Sequence, residues 1–373
     1  TVGTRRFTSA AVLRAEQQIM EAAALTDGPR AAEADVTVAL LRSSIKGIEL
    51  NAGQIHLVRE LATSGKRVQL ALAAAGAGKT TALAVLADAW CEAERRVVGL
   101  APSAVAARQL EDQIGHGTTL AKLAWDITNR PRDAANLVRP GTLLIIDEAG
   151  MADTPTLARI VGYATDRGAS VRLIGDDQQL AAIGAGGILR DLASTHGAVT
   201  LNQILRFHDP AASLALRDGR PEALGYYLDQ NRLHPGTADT VLTDALDAWI
   251  RDKDQGLDSL MLAGTRDQAA TLNHRARQHR LHGISTAADQ NCVDLADGNQ
   301  ASPGDVIVTR LNDRRLRVSD TDWVKNGDRW TITRVSPTGT VHATHHRSGL
   351  PIRLPADYVR DNVELGYAVT VHT

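Results

Sequence analysis

Apolar residues fall into three textures along this chain. From residue 8 to residue 46 they recur at helical spacing: Val12, Leu13 and Ile19, then an apolar face over 36–41, with Thr8 and Ser9 placed to cap the first helix. From Leu50 onward, short apolar runs alternate with helical patterns, which predicts a parallel sheet with helices on both faces. Its strands end at Ala71-Leu72-Ala73, at 96–100, at 142–146 and at Val171-Arg172-Leu173-Ile174. Residues 303–355 change again to short strands at 306–309, 329–333, 341–344 and 352–354. Asn326-Gly327-Asp328 and Pro337-Thr338-Gly339 supply turn chemistry between them, so this stretch predicts a small antiparallel barrel.

Composition narrows this picture only a little. A chain of 373 residues, 43% hydrophobic and 23% charged, is ordinary globular material for two or three domains. No apolar run approaches the roughly 18 residues of a membrane span, and the first residues lack a signal peptide's apolar stretch. Cys91 and Cys292 make no disulfide framework, which fits a reducing, cytoplasmic setting without a membrane partner. Net charge is -2, yet 274–282 holds Arg275, Arg277 and Arg280 with three histidines and no acid. Such a run is either a solvated helix face or a stripe for phosphate backbone. His342, His345 and His346 read as surface or DNA-facing side chains rather than metal ligands, because strand alternation sends 345 to the opposite face. The chain begins at Thr1 and stops at Thr373 directly after an apolar run, which reads as a piece of something longer.

Chemistry concentrates at strand ends. Ala73-Ala74-Ala75-Gly76-Ala77-Gly78-Lys79-Thr80-Thr81 is a phosphate-binding loop with Ala73 where the pattern wants its first glycine. Gly76 and Gly78 let the N–H groups of 75–81 turn toward phosphate oxygens, and the following helix aims its positive end there. Lys79 can reach the β- and γ-phosphates of ATP, and the Thr80 hydroxyl can ligate Mg²⁺. Thr142-Leu143-Leu144-Ile145-Ile146-Asp147-Glu148 delivers two carboxylates at a strand's C-terminal edge, Asp147 to hold Mg²⁺ and Glu148 to deprotonate water. Gln54, opening a helix just before the loop, is placed to read adenine, or is simply an exposed helix glutamine. Pro102 stops a strand and Ser103 caps the next helix.

With Gly175-Asp176-Asp177-Gln178-Gln179-Leu180 at another strand end, the motif order resembles superfamily 1 helicases of the RecD-like group, most closely the helicase region of MobF/TraA-type conjugative relaxases. The resemblance implies that Gln179 senses the γ-phosphate and that Arg206, in Leu201-Asn202-Gln203-Ile204-Leu205-Arg206-Phe207, reaches it from a second motor domain. It implies single-stranded DNA contacts at Pro102, Ser103, Thr118, Thr119 and His372. It also implies 5′ to 3′ translocation, a monomer, and other conjugation proteins as partners. In the family the final Tyr367-Ala368-Val369-Thr370-Val371-His372-Thr373 continues into Gln-Gly and a further arginine motif, without which turnover would be impaired.

The expected fold is thus α/β: a P-loop NTPase with tandem RecA-like domains and an inserted SH3-like β-barrel. Its parts are a helical lead-in (1–48), the first motor domain (49–200), the first part of the second (201–300), the barrel (301–356) and a continuation (357–373). Two rival functions stay open: a single-stranded DNA-binding module that does not hydrolyse ATP, and a P-loop ATPase switch without nucleic acid. Lys79, Thr80, Asp147, Glu148 and Gln179 argue against the first, and the 175–180 and Pro102-Ser103 segments against the second.

Overall fold

Two helices open the first of two compact units, Thr1–Tyr226 and Tyr227–Thr373, in a computed structural model that describes residues 8–74, 76–176, 178, 187–201, 209–282, 291–319 and 322–370. Helix α1 (Ala10–Ala24) starts where the Ser9 hydroxyl accepts the Val12 N–H, and α2 (Glu33–Ile45) follows it. In α3 (Ala52–Thr63) the cap is reciprocal: Asn51 Oδ1 accepts the Gln54 N–H and Gln54 Oε1 accepts the Asn51 N–H. Then come β1 (Val68–Ala73), α4 (Lys79–Glu92), β2 (Val97–Ala101), α5 (Ala104–Ile114) and β3 (Gly117–Thr119). They are followed by α6 (Leu120–Asn129), α7 (Pro131–Leu137), β4 (Leu143–Ile146), α8 (Thr154–Asp166) and β5 (Ser170–Gly175). The series closes with α9 (Ile188–His196), β6 (Val199–Leu201) and α10 (Pro210–Arg217), and the division between the units falls within α11 (Glu222–Asp229).

Six of these strands form a parallel sheet in the order β3-β2-β4-β5-β1-β6. The continuous apolar run at 143–146 is what a strand covered on both faces requires. Leu144 and Ile146 pack with Ile19 of α1 and with α6, α8 and α9, while Leu143 and Ile145 pack with Val36 of α2 and with α3 and α4. All four are fully buried, each contributing about 1.5–3 kcal/mol of transfer free energy. The lead-in helices therefore belong to the sheet, one on each face.

Arg172 lies within β5, paired in register with Gln69 and Ile145, and is wholly buried. Its guanidinium donates to the carbonyls of Leu61 (2.8 Å), Lys66 (3.0 Å), Val171 (3.1 Å) and Ser64 (3.3 Å), closing the C-terminal end of α3. Burial pulls its pKa down to about 9, and it still meets the negative end of the helix as a cation.

The second unit contains α12 (Ala238–Asp254), β7 (Met261–Ala263), α13 (Arg266–Leu281), β8 (Val293–Asp294), β9 (Gln300–Ala301), β10 (Val306–Thr309) and β11 (Asp313–Arg317). It continues with β12 (Trp323–Val324), β13 (Arg329–Val335), β14 (Val341–His345), β15 (Pro351–Leu354), α14 (Ala356–Asn362), β16 (Val363–Leu365) and β17 (Ala368–Thr370). An antiparallel sheet runs β15-β14-β13-β10-β16, with β11-β12 and β8-β9 as separate antiparallel pairs. Strands β7 and β17 pair in parallel although the whole antiparallel sheet lies between them in sequence. Buried Asn273 of α13 holds this return: its Oδ1 accepts the N–H groups of Tyr367 (2.9 Å) and Ala368 (2.7 Å), and its Nδ2 donates to the Ala368 carbonyl.

The basic run on α13 is spent internally. Arg275 pairs with Asp239 at 2.7 Å, and Arg277 and Arg280 both close on Asp305. Each barrel histidine also has a local partner: His342 with Arg334, His345 with Ser348 and His346 with Thr331. Among the described residues no helix is long and apolar enough to cross a membrane.

Candidate functional site

The site is built where β1 gives way to α4. Ala73 is the last strand residue and its side chain is packed in the core, so extended backbone holds the place where the loop pattern has a glycine and no left-handed conformation is needed there. That conformation appears three residues later, at Gly76 (φ 79°), and again at Gly78 (φ 75°). Gly78 caps α4, so the free N–H groups of the first helical turn, starting at Lys79, face the loop. Its carbonyl accepts the Gln54 side-chain amide at 2.9 Å, which ties the start of α3 to the loop. Ala77 is buried, Thr80 is exposed and Thr81 half-buried; Ala75 lies outside the described residues.

Two strands away, β4 ends in the carboxylate pair. Glu148 sits in the left-handed region (φ 52°), a strained conformation for a side-chain-bearing residue and one that clusters at functional sites. Asp147 Oδ1 accepts the Glu148 N–H, fixing the turn. Lys79 Nζ stands 2.5 Å from Glu148 Oε1 and 3.2 Å from Asp147 Oδ1. Burial opposes charge on Lys79, but the fields of Asp147 and Glu148 outweigh it and hold its pKa above the ordinary lysine value. The three side chains keep 14%, 16% and 26% of their surface, so the cluster is open to a ligand.

Between β1 and β4 lies β5, whose end approaches the same edge. A Cβ on Gly175 would meet Leu189 Cδ1 at 2.9 Å and the Gly150 nitrogen at 3.3 Å, so the turn after Glu148 packs directly on the end of β5. Asp176 follows, nearly buried, its carboxylate accepting the Gln178 N–H and the Arg217 guanidinium. Arg217 carries no spacing signal that ties it to Asp176 forty-one residues earlier, and sequence reasoning passed over it.

On the far side of β4, β2 and β3 run together with Leu100 beside Thr118 and Ala101 beside Thr119. This brings Pro102-Ser103 and Thr118-Thr119 to adjacent strand ends. Ser103 accepts the Ala106 N–H and Thr119 the Lys122 N–H, so both hydroxyls also cap helices. Gln179, Arg206 and His372 lie outside the described residues.

The Asp147 carboxylate and the hydroxyl of exposed Thr80 are hard oxygen donors suited to Mg²⁺, and the Lys79 ammonium beside the helix N-terminus is suited to the phosphate that would carry the ion. Residues 49–238 match the AAA_30 family, an AAA domain, and residues 293–364 match the Rv2311 SH3-like barrel domain. A probable conjugal transfer protein TraA of Sinorhizobium fredii is 30% identical over 84% of this chain and 28% of its own length. The conjugal transfer protein TraA of Agrobacterium fabrum is 30% identical over 82% of the chain and 28% of its own length. An ATP-dependent RecD2 DNA helicase of Deinococcus radiodurans is 28% identical over 87% of the chain and 43% of its own length. The chain thus spans less than half the length of each of these relatives.

Proposed function

We propose, from the premise that this chain belongs to the AAA domain family and is a RecD-like relative of TraA conjugal transfer proteins, that it binds Mg-ATP and couples its hydrolysis to movement along single-stranded DNA. The observation that carries this reading is the meeting of Lys79, Asp147 and Glu148 beside a loop of two left-handed glycines at a helix N-terminus. Mg²⁺, when held by Thr80 and Asp147, would neutralise charge developing on the phosphates. Lys79 exchanges its contact with Glu148 for phosphate oxygens. Glu148, released, orients the attacking water and takes its proton. Loop N–H groups from Ala75 to Thr81 surround the phosphates, with Gln179 sensing and Arg206 stabilising the γ-phosphate. Gln54 is buried rather than an exposed helix glutamine and holds one backbone partner with each end of its amide, so reading an adenine edge would draw on its remaining lone pair and N–H.

Pro102, Ser103, Thr118 and Thr119 are the proposed single-stranded DNA contacts of the first unit, and His372 is a proposed contact of the second, with 5′ to 3′ polarity. In the second unit, the parallel β7-β17 pair packed on α13 supports a second RecA-like domain into which the barrel is inserted. We place the protein in the cytoplasm as a monomer working with other conjugation proteins, as the helicase part of a relaxase. Measuring ATP hydrolysis with and without single-stranded DNA tests the reading. DNA-stimulated turnover is expected; DNA binding without hydrolysis, or hydrolysis indifferent to DNA, would replace it with one of its rivals.

A further inference from the structure

Arg217 and Asp176 make a closed fork. Nη2 of Arg217 reaches Oδ1 of Asp176 at 2.6 Å, and its Nε lies 3.1 Å from both carboxylate oxygens. The Asp176 side chain keeps only 3% of its surface and that of Arg217 25%, so this pair is shielded far more than a surface ion pair. The same carboxylate accepts the Gln178 N–H at 3.0 Å, which shapes the turn leading from β5 into the segment that carries Gln179. Arg217 closes α10, whose N-cap is Asp209, and α10 follows the segment that carries Arg206.

The other end of that segment is anchored too. Leu201, the last residue of β6, lies beside Ala73 in the sheet, and its carbonyl accepts the Ala74 N–H of the phosphate loop at 3.4 Å. The chain from 201 to 217 is therefore pinned at one end to the phosphate loop and at the other to the end of β5, and Asp176 holds both the second pin and the turn before Gln179. We propose that Arg217 and Asp176 are positioning residues for nucleotide hydrolysis, fixing the described ends, at Gln178 and at Arg217, of the segments whose sequence carries Gln179 and Arg206. The role rests on the ATPase reading above. Neither residue touches the nucleotide in this role, so losing the fork leaves binding intact and slows turnover, because small misplacements of catalytic groups cost up to about 10²-fold.

Arg217→Lys keeps the charge but cannot make the fork, and the double variant Asp176→Asn/Arg217→Gln leaves no buried charge unpaired. In DNA-stimulated ATPase assays both are expected to lose about 10²-fold in kcat with KM for ATP within about threefold of the parent. Binding of a fluorescent ADP analogue should stay at parental affinity. Parental kcat in both variants, in protein that melts like the parent, would overturn the positioning role. An equal loss of ADP-analogue binding and kcat would overturn it in favour of a purely structural pair. A parent without ATPase activity would overturn the ATPase reading itself and this role with it.

Discussion

In the first unit Lys79 faces Asp147 and Glu148 with all three side chains partly open to solvent, whereas in the second unit Arg277 and Arg280 close on an Asp305 with no exposed surface. The parts are alike, and the distances overlap: 2.5 and 3.2 Å in one cluster, 3.0 and 2.8 Å in the other. What differs is saturation. Asp305 also accepts the Tyr367 hydroxyl at 2.6 Å, the Ser302 N–H at 2.7 Å and the Ser302 hydroxyl at 3.2 Å, so its lone pairs are used. Asp147 and Glu148 share one ammonium and keep lone pairs facing solvent. A charged cluster whose members are satisfied by their own chain is a rivet; one whose members are poised but unsatisfied can trade its internal contacts for those of a substrate.

Substitution should separate the two most sharply in turnover. Lys79→Ala is expected to lower ATP hydrolysis by about 10³-fold or more, and Glu148→Gln to stop turnover while Mg-ATP binding persists, with little change in melting temperature for either. A Glu148→Gln protein that hydrolyses ATP at the parental rate would remove Glu148 from its role. Asp305→Ala should do the reverse. It strands two arginines and is expected to cost the second unit about 3–5 kcal/mol, seen as faster amide exchange over 261–281 and 300–309. Unchanged exchange there would mean that the cluster is not a rivet.

A third variant asks whether a buried cation without a carboxylate behaves like the Asp305 cluster. Arg172→Met removes every donor from the Leu61, Ser64 and Lys66 carbonyls, and equilibrium denaturation should show a loss of about 2–3 kcal/mol in the first unit. A neutral result would say that water reaches those carbonyls.

The smallest effect expected is in pH dependence, and it runs in opposite directions. Burial raises the Asp305 pKa, but hydrogen bonds from Tyr367, Ser302 and Arg280 prevail and hold it below the ordinary 3.8. Its stabilisation is complete above that pH and is lost as pH falls through the lowered value. Lys79, with its pKa raised above 10.5, keeps its stabilisation below that pH and loses it as pH rises through the raised value. Amide exchange should show the residues around Asp305 loosening as pH falls through its lowered value, and the first turn of α4 at 79–81 loosening as pH rises through the raised value of Lys79. Exchange unchanged across both titrations would contradict the comparison.

Much of this was legible residue by residue, because the signals are local. The reading of 143–146 as a strand delivering Asp147 and Glu148, the loop ending in Lys79 and Thr80, the Ser9 and Ser103 caps and the four barrel strands near 306, 329, 341 and 352 all rest on periods or spacings of a few residues. Other assignments depended on partners far away. The basic run at 274–282 had two local readings, a solvated face or a phosphate stripe, and neither contains Asp239 or Asp305, the carboxylates that take up its arginines. Arg172 looked like a strand residue like any other, since its carbonyl partners come from the end of α3, about 110 residues away.

The sequence by itself determined the strands that end near Ala73, Ile146 and Gly175 and the side chains that stand at those ends, since hydrophobic period, capping residues and loop glycines act over one turn or one strand. The tertiary structure decided the strand order that places Asp147 and Glu148 within reach of Lys79, the capture of the Gly78 carbonyl by Gln54, and the fork between Arg217 and Asp176. These are contacts between strand ends and loops far apart in the chain. Whether a charge there is spent on a neighbour or left for a ligand depends on burial and on how many donors converge, which packing alone sets.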